Sequence, residues 1–193
     1  MAIDYLPVSW GDYHANARIL ADTILSDKIH IDEIIAIARG GLTLGHILTD
    51  LLHVPISTFA IQSYTDIQMQ GEVKITKPLA TPLDGKSILL VDDVADRGKT
   101  MKRAMEYLNM FSPKKIYTLT MYYKPQSVYK PDYFARVTPA WIIFPYELTE
   151  TISSIMMSMK KEKKSESEIQ EFLENRLHYT KEEIQFVKKH YSK

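Results

Sequence analysis

Three carboxylates and a glycine-lysine-threonine turn crowd together in Asp92-Asp93-Val94-Ala95-Asp96-Arg97-Gly98-Lys99-Thr100. Acidic side chains accept hydrogen bonds from sugar hydroxyls or coordinate a hard cation. Gly98, the Thr100 hydroxyl and the unpartnered first amides of a helix suit a phosphate. Together they can grip a sugar phosphate at two ends. That chemistry needs a strand to aim the acids and a helix to present the amides. Ser87 to Val91 is a β-branched and leucine-rich run after the turn Asp84-Gly85-Lys86, which is the pattern of a buried strand in a parallel sheet. Met101, Ala104, Met105 and Leu108 recur at helical spacing, so residues 96 to 100 are expected to form the connecting loop.

Gly98-Lys99-Thr100 also looks like the end of a nucleoside-triphosphate loop. Such a loop requires a glycine where this chain has Asp93, whose charge would repel β- and γ-phosphates, and the ATPase reading fails on that spacing. A solvated acidic turn would explain one carboxylate, but not three beside a phosphate loop. Upstream, Glu33 to Ala38 reads as a strand, Arg39-Gly40-Gly41 as a loop, and Leu44, Ile47, Leu48 and Leu51 as the buried stripe of a helix. Paired glycines expose amides, and Arg39 can make forked, charge-assisted bonds to a pyrophosphate. In an open α/β sheet, ligands bind beyond the carboxyl ends of the strands, and both loops belong at such ends.

The Asp-Asp pair at a strand end resembles the 5-phosphoribosyl 1-pyrophosphate (PRPP) motif of type I phosphoribosyltransferases. Ala38-Arg-Gly-Gly-Leu42 is similar to the pyrophosphate loop of the 6-oxopurine group, particularly the xanthine-guanine and archaeal hypoxanthine-type enzymes. Ser63-Tyr64 resembles the pair that opens their mobile loop, Lys124-Pro125 the lysine that meets the purine 6-oxo group, and Trp141 to Glu147 the hood over the base. The resemblance spans about residues 36 to 147. It implies an α/β type I phosphoribosyltransferase fold: a central, mostly parallel sheet flanked by helices, a small hood and a C-terminal helical extension. The implied division is 1–150 for the transferase domain with its hood and 151–193 for the extension.

The same resemblance implies roles. Asp92 and Asp93 hold the ribose hydroxyls and support Mg²⁺, chiefly through Asp93. Asp96 takes the proton at purine N7. Ala95, Asp96, Arg97, Gly98, Lys99 and Thr100 form the 5-phosphate loop, and Arg39, Gly40 and Gly41 hold pyrophosphate. Ser63 and Tyr64 belong to the mobile loop, and Lys124, Trp141 and Ile142 meet the purine. The peptide before Arg39 is expected to be cis. Two departures stand out. Arg97 and Lys99 occupy positions where many relatives carry a threonine or a small residue, and Gly71 falls where bacterial xanthine-guanine enzymes place an arginine, leaving Lys74 or Lys77 as substitutes. Blander readings exist for single residues: Tyr64 as a surface tyrosine, Lys124 snorkelling to water, Trp141 as core.

Composition agrees with a small cytoplasmic enzyme. The chain has 193 residues, is 45% hydrophobic, carries 24 basic and 24 acidic side chains and has no cysteine. Thiolate metal sites and disulfides are thereby excluded, and the zero net charge argues against broad binding to nucleic acid or acidic membranes. No apolar run approaches the roughly 20 residues of a membrane span, and the N-terminal residues lack a basic-apolar leader pattern. Ser9 and Asp12 propose a helix start, followed by the stripe Tyr13, Ala17, Leu20, Ala21 and Ile24. Ile152, Ile155, Met156 and Met159 predict a late helix, the run Lys160 to Lys164 reads as its solvated end, and Ser165/Glu168 and Thr180/Glu183 have capping-box spacing.

The function classes are then a transferase making a purine nucleotide from PRPP and hypoxanthine, guanine or xanthine, a PRPP-sensing regulator of the same fold, or a phosphoribosyltransferase for adenine or orotate. A sensor that binds nucleic acid would be expected to show a basic surface and need not keep a base-facing carboxylate such as Asp96. Lys124 is donor-only and suits an oxo group over an amino group. A homodimer is implied by resemblance only. Side-chain identity does not rank the three 6-oxopurines, because purine C2 is met largely by backbone.

Overall fold

The computed structural model describes residues 3–64 and 72–191. In chain order the elements are β1 (Tyr5–Pro7), α1 (Trp10–Ser26), β2 (Glu33–Ala38), α2 (Gly40–Leu52), β3 (Ile56–Tyr64), β4 (Glu72–Lys77), β5 (Ser87–Ala95), α3 (Lys99–Asn109), β6 (Lys115–Tyr123), β7 (Tyr133–Val137), β8 (Trp141–Ile143), α4 (Leu148–Lys161), α5 (Glu166–Glu171) running into a π-helical turn (Phe172–Arg176), and α6 (Lys181–Tyr191). They form two compact units, one of residues 14–139 and one of residues 1–13 with 140–193.

The larger unit is built on a six-stranded sheet in the order β4-β3-β2-β5-β6-β7. All neighbours run parallel except β4, which pairs antiparallel with β3. The central strands β2 and β5 are apolar on both faces, as expected where helices cover a parallel sheet on both sides. One face sends Ile35, Ile37, Ile88 and Leu90 into a core closed by Met101, Ala104 and Leu108 of α3. α2 packs closely through Gly45, where a β-carbon would stand 2.8 Å from Ile56 and 3.0 Å from Ala36. Burial there leaves no room for a side chain.

Two boundaries differ from the expected ones. The strand starting at Ser87 continues through Asp92 and Asp93 to Ala95, because its pairing with β6 persists at Asp92 with Thr120, Val94 with Tyr122 and Ala95 with Tyr123. The loop is correspondingly short, and α3 begins at Lys99 with Gly98 as its N-cap at φ 75°. Likewise α2 begins at Gly40, so the paired glycines open a helix and Arg39 is its N-cap.

The smaller unit holds a two-stranded parallel sheet, β1 with β8, pairing Tyr5 with Trp141 and Ile143 with Pro7. The late helices surround their own apolar cluster: Ile152, Ile155 and Met156 of α4, Ile169 of α5, Leu173 and Leu177, and Ile184 and Val187 of α6, joined by Ile143 of β8. Both capping boxes form. The Ser165 hydroxyl accepts from the Glu168 amide while Glu168 accepts from the Ser165 amide, and Thr180 and Glu183 repeat the pattern. The basic run ends α4 and pairs with acids, Lys160 with Glu166 and Lys164 with Glu168.

Candidate active site

Adjacency of β2 and β5 brings the two glycine-bearing loops side by side at their carboxyl ends. The Ala38–Arg39 peptide is cis, as the resemblance implied, and Gly40 follows directly. A β-carbon at Gly40 would stand 2.5 Å from Asp93 Oδ2 and 2.8 Å from Asp92 Oδ1. One at Gly41 would collide with the Val91 carbonyl. Only glycines allow the start of α2 to lie against the acidic end of β5 this closely. Arg39, Gly40, Gly41, Asp92 and Asp93 are therefore one constellation.

Within it the carboxylates differ. Asp92 is 8% exposed, and its Oδ1 accepts from the Asp93 amide at 3.0 Å. Burial, and after it the Asp93 charge, push the Asp92 carboxyl well above the ordinary carboxylate range, against the pull of the Asp93 amide. A hard cation or a hydroxyl-rich ligand would relieve that crowding.

The next strand pair builds a second cluster. Lys124 follows β6 as Asp96 follows β5, and the Lys124 amide donates to the Ala95 carbonyl at 3.2 Å. Lys124 Nζ lies 3.4 Å from Asp96 Oδ1, and Gln126 Nε2 donates to the same oxygen at 3.2 Å. Lys124 is 7% exposed, so it does not snorkel to water. The turn after Pro125 also packs on the phosphate-loop candidate: the Val128 amide donates to the Arg97 carbonyl, and a β-carbon at Gly98 would meet Ser127 Oγ and the Tyr129 amide nitrogen at 2.6 Å each. The positive φ and this close approach both require glycine at position 98.

Arg97 and Lys99 point outward beside the buried Gly98, and the first amides of α3 open at Lys99 and Thr100. An acid-rich strand tip, two helix N-termini and a donor-acceptor pair are thus collected at the carboxyl ends of three neighbouring strands, β2, β5 and β6. The phosphoribosyl transferase domain family matches residues 9–151 of this chain. The chain belongs to that family. It is 31% identical over 149 residues to the xanthine-guanine phosphoribosyltransferase of Gluconobacter oxydans, covering 75% of this chain and 86% of that protein. It is 32% identical over 144 residues to the enzyme of the same name from Idiomarina loihiensis, covering 73% and 86%. A solved purine phosphoribosyltransferase from Pyrococcus horikoshii superposes with a TM-score of 0.68 at 30% identity, over 75% of this chain and 94% of that one. The sheet order and flanking helices described above are the type I phosphoribosyltransferase fold.

In this phosphoribosyltransferase the remaining sequence candidates lie on β3, β4 and β8. Ser63 and Tyr64 end β3, paired with Val73 and Glu72 of β4; Gly71 and the polar run before it lie outside the described residues. Lys74 and Lys77 are on β4, opposite Gln62 and Ala60. Trp141 and Ile142 belong to β8 in the smaller unit. Trp141 is 59% exposed, which removes the core reading, while Ile142 is buried. Gln126 and Ser127 were not among the sequence candidates. They become visible only once β6 is placed beside β5, although a polar run directly after a strand-ending Lys-Pro was the available clue.

Proposed function

We propose that this phosphoribosyltransferase moves the phosphoribosyl group of PRPP to a 6-oxopurine in purine salvage, releasing pyrophosphate. The observation that carries the reading is the Lys124–Asp96 pair beside the Gly98 turn, a donor and an acceptor next to a phosphate-holding helix start. Lys124 offers hydrogen to a 6-oxo oxygen, and the Asp96 carboxylate accepts the proton of purine N7. As the base nitrogen N9 bonds to the anomeric carbon, the bond from that carbon to pyrophosphate breaks. Asp92 and Asp93 sit under the ribose hydroxyls. The Asp96 to Thr100 amides and the Thr100 hydroxyl receive the 5-phosphate, with Ala95 ending the strand that aims them. Arg39 and the Gly40 and Gly41 amides receive the leaving pyrophosphate. Rate enhancement then comes from alignment and from fixed donors facing the departing charge.

Two neighbouring carboxylates, one of them buried, are a fitting oxygen donor set for Mg²⁺. No cluster of three or more His, Cys, Asp or Glu side chains able to hold a metal occurs among the described residues, so substrate oxygens and water would complete the shell. When bound, the ion supplies charge neutralisation to the pyrophosphate. Ser63 and Tyr64 are assigned to the loop over PRPP, and Trp141 and Ile142 to the base. The functional division is read as 1–150 for transfer and 151–193 as an extension, in a cytoplasmic homodimer acting on small molecules only. Among the described residues no helix is long and apolar enough to cross a membrane.

The deciding experiment is nucleotide formation from PRPP and Mg²⁺ with hypoxanthine, guanine, xanthine, adenine and orotate, beside the Asp96→Asn variant. Turnover is expected with at least one 6-oxopurine and to fall about 10²- to 10⁴-fold in the variant. Conversion of adenine alone would overturn the role of Lys124. Undiminished turnover in the variant would remove Asp96. Light scattering checks the dimer.

A further inference from the structure

The family match ends at residue 151, yet the residues after it are built into the strand that precedes them. β1 and β8 are three residues each, and among the described residues they pair only with one another. A two-stranded sheet of that length is marginal by itself and needs backing. Ile143 of β8 lies in the cluster made by α4, α5 and α6. The Tyr5 ring of β1 meets Phe172 edge-on, with centroids 5.8 Å apart at 76°. Asp4, just before β1, faces Arg176 at 3.4 Å. Phe172 and Arg176 are the first and last residues of the π-helical turn, so one wide turn holds both contacts to β1. β1 passes the constraint on: the Trp141 amide donates to the Asp4 carbonyl at 2.8 Å, and the Val8 amide donates to the Ile143 carbonyl at 3.0 Å.

We propose that the C-terminal extension supports the base-reading strand, with Phe172 as the positioning residue that acts through β1 on the Trp141–Ile142 backbone. The proposal rests on the reading above that this backbone meets the purine. Recognition by main-chain groups has no side chain to adjust, so selectivity depends on holding the strand to within about 0.5 Å. Here a change in the tail alters affinity for the base and leaves PRPP, bound by loops of the larger unit, unaffected.

The test uses the full chain carrying Phe172→Ala, Phe172→Leu or Arg176→Ala. Hydrogen exchange at the Trp141 and Val8 amides is expected to quicken about tenfold in Phe172→Ala, through local opening of the β1–β8 pair. The KM for the 6-oxopurine is expected to rise about five- to tenfold while that for PRPP stays within about twofold, the pattern of lost binding at one substrate only. Arg176→Ala, which removes an exposed ion pair, is expected to shift the base KM by about twofold or less. Phe172→Leu keeps apolar bulk without the edge-on ring contact and serves if the alanine variant does not fold; its effect is intermediate.

Unchanged exchange at Trp141 and Val8 overturns the proposal. Faster exchange with an unchanged base KM does so too, as does a parallel rise in both KM values. If the unaltered protein converts no 6-oxopurine, it is the functional reading that falls. Exchange then decides by itself whether the extension supports β8.

Discussion

At the amino ends of the sheet strands, Glu33 on β2 is 4% exposed and both its oxygens are occupied. Ser57 Oγ donates to one at 2.5 Å and Lys86 Nζ to the other at 2.7 Å, with Thr81 extending the network from Ser57 at 2.6 Å. At the carboxyl ends, Asp92 on β5 is buried nearly as well, but its neighbour is a second carboxylate, and Gly40 presses the start of α2 against both. A buried charge with its partner built in is scaffold, whereas a buried carboxyl crowded by a second one is held toward its neutral form. The two ends differ in what faces the buried carboxyl: hydroxyl and ammonium donors at the first, a second carboxylate and the close start of α2 at the second.

Exchanging those characters is the strongest way to break the comparison. Asp92→Asn is expected to lower kcat/KM for PRPP by about 10²-fold or more, because a hydroxyl- and cation-facing oxygen is lost where charge is aligned. Its thermal midpoint in metal-free buffer is expected to hold or rise, since a crowded buried charge is gone. A drop in both quantities would make Asp92 scaffold. Gly40→Ala should match the loss of activity and lower stability as well, because its β-carbon enters the space of both carboxylates. At the opposite end, Lys86→Met leaves Glu33 buried with the Ser57 hydroxyl as its side-chain donor. A loss of about 2–4 kcal/mol in chemical denaturation is expected, with kcat/KM of the folded fraction within about twofold. Loss of activity without loss of stability would erase the distinction.

The same contrast explains what was legible in the sequence. β2 and the helix stripes could be read from apolar period, and the Asp92–Asp93 pair from its place after an apolar run, because those signals are local. The tail helices announced themselves through Ser165/Glu168 and Thr180/Glu183, again within one turn. Contacts formed across the sheet were not legible. Ser57 is 24 residues from Glu33 and Lys86 is 53 away, and nothing but strand order and register brings them together. Gln126 escaped notice for the same reason, since it reaches Asp96 only because β6 lies next to β5. The continuation of β5 to Ala95 depended equally on a partner strand. The tail's hold on β1, through Phe172 and Tyr5, links opposite ends of the chain.

Gln126 gives a finer test at the ligand-facing end. It shares Asp96 Oδ1 with Lys124, so Gln126→Ala removes one of two restraints on the proposed base. A three- to tenfold fall in kcat is expected, the equivalent of roughly 1 kcal/mol for one hydrogen bond to a charged group. Stability should change by no more than about 0.5 kcal/mol, as for a surface substitution. An unaltered kcat would show that Lys124 alone orients Asp96.

The smallest effect concerns a carboxylate set by hydrogen bonding in water. Glu168 accepts from the Ser165 amide, then from Lys164 and the Ser165 hydroxyl, and these contacts hold its carboxyl down at about 2. Because the folded value lies below the unfolded one, the contribution is fully present above the ordinary value of 4.5 and disappears as pH falls toward 2. Glu168→Gln retains an acceptor for the Ser165 amide but does not titrate. The difference in urea midpoint between the unaltered chain and this variant is therefore expected to be constant above pH 4.5 and to shrink between pH 4.5 and 2. A difference that stays constant through that window would mean that the cap does not need the charge.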